Sequence, residues 1–161
     1  MSTRAAVADP VFTTFSDTVT LRTQARRQFI DVTELVAERV RRSGIREGLV
    51  LVQSHHTTAA VVVNEDEPLL LGDFWALLDR LCPPDVEYGH DDMDRRRDPM
   101  ADERPNGASH CQALLLGSSQ TLNVSGGAVQ LGRWQRILLV ELDGPRTRTL
   151  SIAVVGQRGG R

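Results

Sequence analysis

The sequence predicts an α+β domain: a single compact unit of mostly antiparallel or mixed β-sheet layers carrying two or three helices. Three observations predict it. Short β-branched runs recur along the chain, separated by turn signals such as Ser125-Gly126-Gly127 and Asp143-Gly144-Pro145. Apolar stripes at three- and four-residue spacing are confined to a few segments. The elements run strand, strand, helix, strand, strand, helix, loop, short helix and four strands, which is not the alternation of a doubly wound parallel sheet.

Taken in order, residues 1–10 read as a flexible tail and 11–157 as the domain, with 158–161 as a second tail. Phe12 to Thr23 alternates Thr18, Thr20 and Arg22 against Val19 and Leu21, as a half-buried strand does. Gln24-Ala25-Arg26 is a turn, and Gln28-Phe29-Ile30 a short second strand. Asp31-Val32-Thr33-Glu34 has the form of a capping box, opening a helix on Leu35, Val36 and Val40 that Gly44 stops. Gly48 to Ser54 and Ala59 to Asn64 are buried strands. Pro68, behind the acceptors Asp66 and Glu67, starts a second helix that carries Phe74, Leu77, Leu78 and Leu81 to Cys82, where Pro83-Pro84 ends it. From Asp85 to Gly107 no periodicity remains. That stretch is a long charged loop, Arg95-Arg96-Arg97 being compensated by surrounding aspartates. Ala108 to Leu116 is a short helix. Gln120–Val124, Ala128–Leu131, Ile137–Leu142 and Thr147–Val155 read as strands.

Composition narrows the function classes. A chain of 161 residues, 40% hydrophobic and 25% charged, has room for one real core. A net charge of −2 offers no general attraction to nucleic acid or anionic membrane, and 4% aromatic content leaves few platforms for stacking bases. No apolar run approaches the length of a membrane span and the first residues lack a signal-peptide core, so the expectation is a cytoplasmic protein. Cys82 and Cys111 read as reduced thiols. All 19 basic residues are arginine, which excludes Schiff-base and P-loop lysine chemistry and leaves arginine, backbone amides or a metal to hold an anion.

The chemistry-bearing stretch is His55-His56-Thr57-Thr58-Ala59-Ala60-Val61-Val62-Val63-Asn64-Glu65. Neighbouring residues of an extended chain point to opposite faces, so one of His55 and His56 can join His90 and His110 around a site. Their spacing is no recognised ligand signature, and structural histidines would read the same way.

The blocks His56-Thr57-Thr58-Ala59-Ala60…Asn64-Glu65, Tyr88-Gly89-His90, Ser109-His110…Leu114-Leu115-Leu116-Gly117-Ser118-Ser119, Leu131-Gly132-Arg133-Trp134-Gln135 and Glu141-Leu142-Asp143-Gly144-Pro145-Arg146 occur in this order. Together they resemble the YjbQ-like family over about Phe15 to Val155. The resemblance implies a homotrimer in which His56, His90 and His110 gather in a pocket able to hold a divalent metal ion, zinc or magnesium. It also implies a secondary thiamine-phosphate synthase activity, joining an aminopyrimidine diphosphate to a thiazole phosphate. Three departures stand out: Gln112 occupies a position often basic in the family, Arg133 replaces a small polar residue, and the Asp91–Pro105 loop is longer and more charged.

Around that set, Glu65 is the candidate general base or a partner orienting a histidine, alongside His56 as a catalytic group. Asn64, Gly117, Ser118, Ser119 and Gln135 are candidate contacts to a small phosphorylated metabolite, the Gly117-Ser118-Ser119 segment offering amides and hydroxyls. Trp134 reads as a core or subunit-interface aromatic and Arg146 as solvated or phosphate-paired. The leading expectation is a small metal-assisted enzyme. The alternatives are a non-catalytic trimeric binding protein for an anionic metabolite or metal, and a metal-dependent hydrolase. The chain is well below the size of a (β/α)₈ barrel, so a synthase of this kind would be a separate structural solution.

Overall fold

A computed structural model of the chain describes residues 12–97 and 104–158. The expected tail at 1–10, all but Arg158 of the tail at 158–161, and residues 98–103 of the charged loop lie outside the described residues.

The elements follow the expected order: β1 (Phe12–Arg22), β2 (Gln28–Asp31), α1 (Thr33–Ser43), β3 (Ile45–Ser54), β4 (Ala59–Glu65), α2 (Pro68–Leu81), α3 (Gly107–Leu116), β5 (Ser119–Ser125), β6 (Ala128–Val129), β7 (Gln135–Glu141) and β8 (Thr147–Arg158). A 3-10 turn, Gly89–Asp91, lies between α2 and α3. The strands form two antiparallel sheets, one in the order β1-β8-β3-β5-β6 and one in the order β2-β7-β4.

The strand pattern explains the layering. In β4 the side chains of Ala59, Val61 and Val63 face one way and join Val50, Val52, Val124, Leu150, Ile152 and Val154 of the larger sheet in the main core, where Val36 and Val40 of α1 also pack. Ala60 and Val62 face the other way and meet Ala113 and Leu116 of α3 and Trp75 of α2. Strands β4 and β7 of the three-stranded sheet are therefore buried on both faces over most of their Val/Ile/Leu runs, while β2 is only half-buried. The outer helices cover it incompletely. Leu69 is 80% exposed and Leu114 83% exposed, with Leu81 and Leu115 also open.

Two helix ends form as expected and one does not. Glu67 caps α2, accepting from Leu69 N and Leu70 N, and Gly44 closes α1 in the left-handed conformation at φ 68°. The capping box at Asp31–Glu34 is not formed. Val32 N–H is still committed to the sheet through Ile137 O at 2.9 Å, so α1 begins one residue late and Asp31 Oδ1 accepts from Thr33 N instead. Strand β6 is shorter than the sequence suggests, and β8 runs on to Arg158. Trp134 is no core aromatic: it is 60% exposed, with the Arg133 guanidinium 4.6 Å from its ring centre.

Candidate functional site

One end of the molecule gathers the start of β4, the end of β7, the start of β8 and the N-terminus of α3. Leu142 N donates to Thr58 O at 3.2 Å, and Ser109 Oγ donates to Leu142 O at 2.7 Å, which ties the histidine turn to α3 through β7. His56, His90 and His110 all belong to this end.

His55 and His56 part to opposite sides, as alternation requires. The His55 Nε2 lies 2.6 Å from Ser151 Oγ on the larger sheet. His56 turns inward, and its Nε2 accepts the Thr149 N–H at 2.7 Å. A ring nitrogen that accepts carries no proton, so this bond defines a neutral imidazole protonated at Nδ1. Burial lowers the His56 pKa from its ordinary value, and the Arg148 cation lowers it further.

His90 and His110 are in ring contact, with centroids 4.4 Å apart and planes at 61°. The chain achieves this through Asp91, whose Oδ1 accepts from both Asn106 N at 2.8 Å and Gly107 N at 2.9 Å. That single carboxylate satisfies two backbone donors where α3 begins and fixes the 3-10 turn against it. Tyr88 reinforces the clamp: its ring lies so close to Gly107 that any Cβ there would collide with it, and its hydroxyl donates to Pro83 O at 2.9 Å. His90 precedes the clamping residue, and His110 stands one helical turn beyond it.

Beneath the histidines lies a buried charge network. Arg148 reaches both oxygens of Glu141, the Nε to Oε2 distance being 2.6 Å, and also donates to Thr58 Oγ1 at 3.0 Å. Glu141 accepts further from Thr23 Oγ1 and from the amides of Leu142 and Asp143. Asp143 is fully buried and pairs with Arg146 at 2.6 Å, while Asn106 Nδ2 donates to it at 3.1 Å. Burial pushes the Asp143 carboxyl up, but Asn106 and Arg146 outweigh it and hold the group below its ordinary value. Arg146 is thus an ion-pair partner of Asp143 rather than a simply solvated side chain. The Glu141–Arg148 pair went unread in the sequence, although a signal was present: Arg148 has the inward parity of Leu150, Ile152 and Val154.

The other candidate residues divide. Ser118 reaches the histidine turn, its carbonyl accepting Ser54 N at 2.8 Å, while Gly117 O accepts Val61 N at 3.2 Å and Ser119 pairs with Gln53. Asn64, Glu65 and Gln135 stand at the opposite end of the three-stranded sheet. Glu65 pairs with Gln135 there, and β4 separates it from Ala59 by about 20 Å of extended chain. Asn64 Oδ1 accepts the Glu65 amide, and Gln135 Oε1 closes its own turn on Gly132 N. A single chain therefore keeps Glu65 out of reach of His56. Arg133 shares that far end and brings no charge to the histidines. Cys82 is buried, which raises its thiol pKa, and Cys111 raises it further.

Among the described residues, no group of three or more His, Cys, Asp or Glu side chains is arranged to hold a metal ion. Within one chain the His56 Nε2 is committed to the Thr149 amide, and its Nδ1 carries the proton.

An antiparallel two-sheet domain with a helix outer layer and histidines collected at one end defines the class of protein. The chain belongs to the YjbQ-like family, since the model described as "UPF0047 protein YjbQ-like" matches residues 17–157. A UPF0047 protein of Methanothermobacter thermautotrophicus is 40% identical over 143 residues, 89% of this chain and 93% of that one. YugU of Bacillus subtilis is 34% identical over 140 residues, 86% and 98% of the two chains. A crystal structure of a YbjQ-like protein of unknown function from Sulfolobus solfataricus superposes with a TM-score of 0.81 at 31% identity, covering 91% of this chain and 99% of that chain. A hypothetical protein from Aeropyrum pernix gives 0.77 at 37% identity, covering 88% and 98%.

Proposed function

We propose that this chain is a small enzyme acting on a phosphorylated metabolite at the histidine end of the molecule. The observation that carries the reading is the His90–His110 contact, held by a dedicated clamp outside both hydrophobic clusters. Adjacent imidazoles suit general acid–base work near neutral pH, because one can donate a proton while the other accepts. His56, kept neutral beside Arg148, supplies a third imidazole at the same end.

The reaction that follows from the resemblance is the joining of an aminopyrimidine diphosphate to a thiazole phosphate. The test is to assay thiamine phosphate formation with the purified chain and with His90→Ala and His110→Ala. Turnover in the parent that falls at least about a hundredfold in both variants supports the enzyme reading. Binding of the phosphorylated substrates without turnover would replace it with the binding-protein reading.

A metal centre is a second reading, favoured by the His90–His110 juxtaposition. Imidazole donors suit zinc better than magnesium. His56 would have to release Thr149 to join them, so no step is assigned to a metal. Elemental analysis of the parent, His56→Ala, His90→Ala and His110→Ala proteins decides it: about one ion per chain, lost in each variant, is the expected signature. We also propose a homotrimer, supported by the exposed leucines of α2 and α3.

A further inference from the structure

A pocket of about 300 Å³ opens at the start of α3, sharing Asp91 and the first turn of the helix with the histidine end. Arg26, Arg27 and Arg104 line it, together with the first turn of the helix from Asn106 to Ser109. The volume is at the lower end for small-molecule sites and suits a phosphate with a small attached group.

The three arginines differ in what they already do. Arg27 is neutralised by Asp79, 2.9 Å away, and stacked over Trp75. Arg104 anchors the returning loop by donating to Asp143 O and Gly144 O, both at 2.8 Å, with its guanidinium 3.3 Å from Asp143 Oδ1. Arg26 bonds a carbonyl, Pro105 O, at 3.3 Å. Arg26 is the lining cation with the most to offer an incoming anion. Asp91, the one acidic lining residue among the described residues, spends its Oδ1 on the Asn106 and Gly107 amides. The positive end of α3 adds to the same potential.

A second observation concerns Asn106, which is only 6% exposed. Its amide nitrogen serves Asp143, but among the described residues its Oδ1 has no hydrogen-bond partner. A buried unsatisfied acceptor is costly, and a donor on a ligand would relieve it.

We propose that this pocket binds the phosphate of a small phosphorylated metabolite, and that a hydroxyl or amino group beside the phosphate donates to Asn106 Oδ1. The proposal rests on the reading that the chain acts on such a metabolite. It moves the phosphate contact away from Gly117-Ser118-Ser119, where the Gly117 amide is spent on Ala113 O at 2.9 Å, to residues the sequence did not single out.

The test is calorimetric titration at constant ionic strength with three probes: inorganic phosphate, ethyl phosphate and 2-aminoethyl phosphate. The expected result is binding of all three, tightest for the aminoethyl ester, weakened about tenfold or more by Arg26→Gln. Ala108→Asp is the companion variant. A carboxylate in the first turn favours the helix, so the fold is kept while an anion is repelled from the pocket. Equal affinity in the parent, Arg26→Gln and Ala108→Asp, or no binding up to about 10 mM phosphate, overturns the proposal. Tighter binding of inorganic phosphate than of either ester also overturns it, because the site would then hold free phosphate. Two further outcomes separate this proposal from the enzyme reading. If Arg26→Gln abolishes phosphate binding but the parent turns nothing over, the pocket stands and the enzyme reading fails. If turnover is present and Arg26→Gln leaves its KM unchanged, the pocket assignment fails alone.

Discussion

His56 couples the histidine end to the stability of the fold. In the folded chain burial and Arg148 hold its pKa below the ordinary imidazole value, whereas unfolding frees it to bind a proton more readily. The contribution to stability is therefore fully present above the unfolded pKa and is lost as pH falls through the folded one. Urea midpoints measured from about pH 7 down to pH 5 should drop more for the parent than for His56→Gln, whose amide oxygen still accepts from Thr149 N but does not titrate. Parallel pH profiles for the two proteins would show that His56 is not depressed. At this scale the sequence was informative about which residues carry chemistry and poor on which of them meet. Strand alternation alone parts His55 from His56. The His90–His110 contact depends on Asp91 bridging back to residues 106 and 107, a long-range bond that no local pattern announces.

Among the elements, α3 and the 3-10 turn act as one piece. Gly107 is the joint, because the Tyr88 ring occupies the space that any side chain would need. Gly107→Ala should cost about 1–3 kcal/mol through forced overpacking. It should also move the His90 ring relative to His110, which histidine resonances in NMR would report. An unchanged spectrum with an unchanged melting temperature would mean that Tyr88 yields freely. Elements with local signals were legible: the Glu67–Pro68 start of α2, the Gly44 stop of α1 and the Ser125-Gly126-Gly127 turn all form as written. The capping box at Asp31 failed because a sheet bond from Val32 outcompetes it. Glu65 lies at the far end of its strand, as the sequence has it, and Gln135 pairs with it there; adjacency in a motif says nothing about the length of strand lying between its two ends.

For the whole molecule, the α+β class and the two-faced burial of β4 and β7 follow from apolar runs too continuous for a half-exposed sheet. The surface of the outer helices does not follow from them, since Leu69, Leu81, Leu114 and Leu115 stand in solvent within a single chain. Such a patch is the expected mark of self-association. Light scattering should give three times the chain mass, and Leu114→Glu should shift it toward the monomer with little loss of secondary structure. A monomeric parent would remove the trimer and leave the leucines as a solubility liability. Among the described residues no helix is long and apolar enough to cross a membrane.

The bond from Asp91 to Asn106 and Gly107 has one more consequence, for tolerance to change. Because the two ends of the intervening stretch are fastened to each other, its length is decoupled from the position of His90 and His110. Lengthening a loop with fixed ends costs only about 0.6 kcal/mol per doubling. Related chains can therefore gain or lose residues between these anchors while the histidines stay in register.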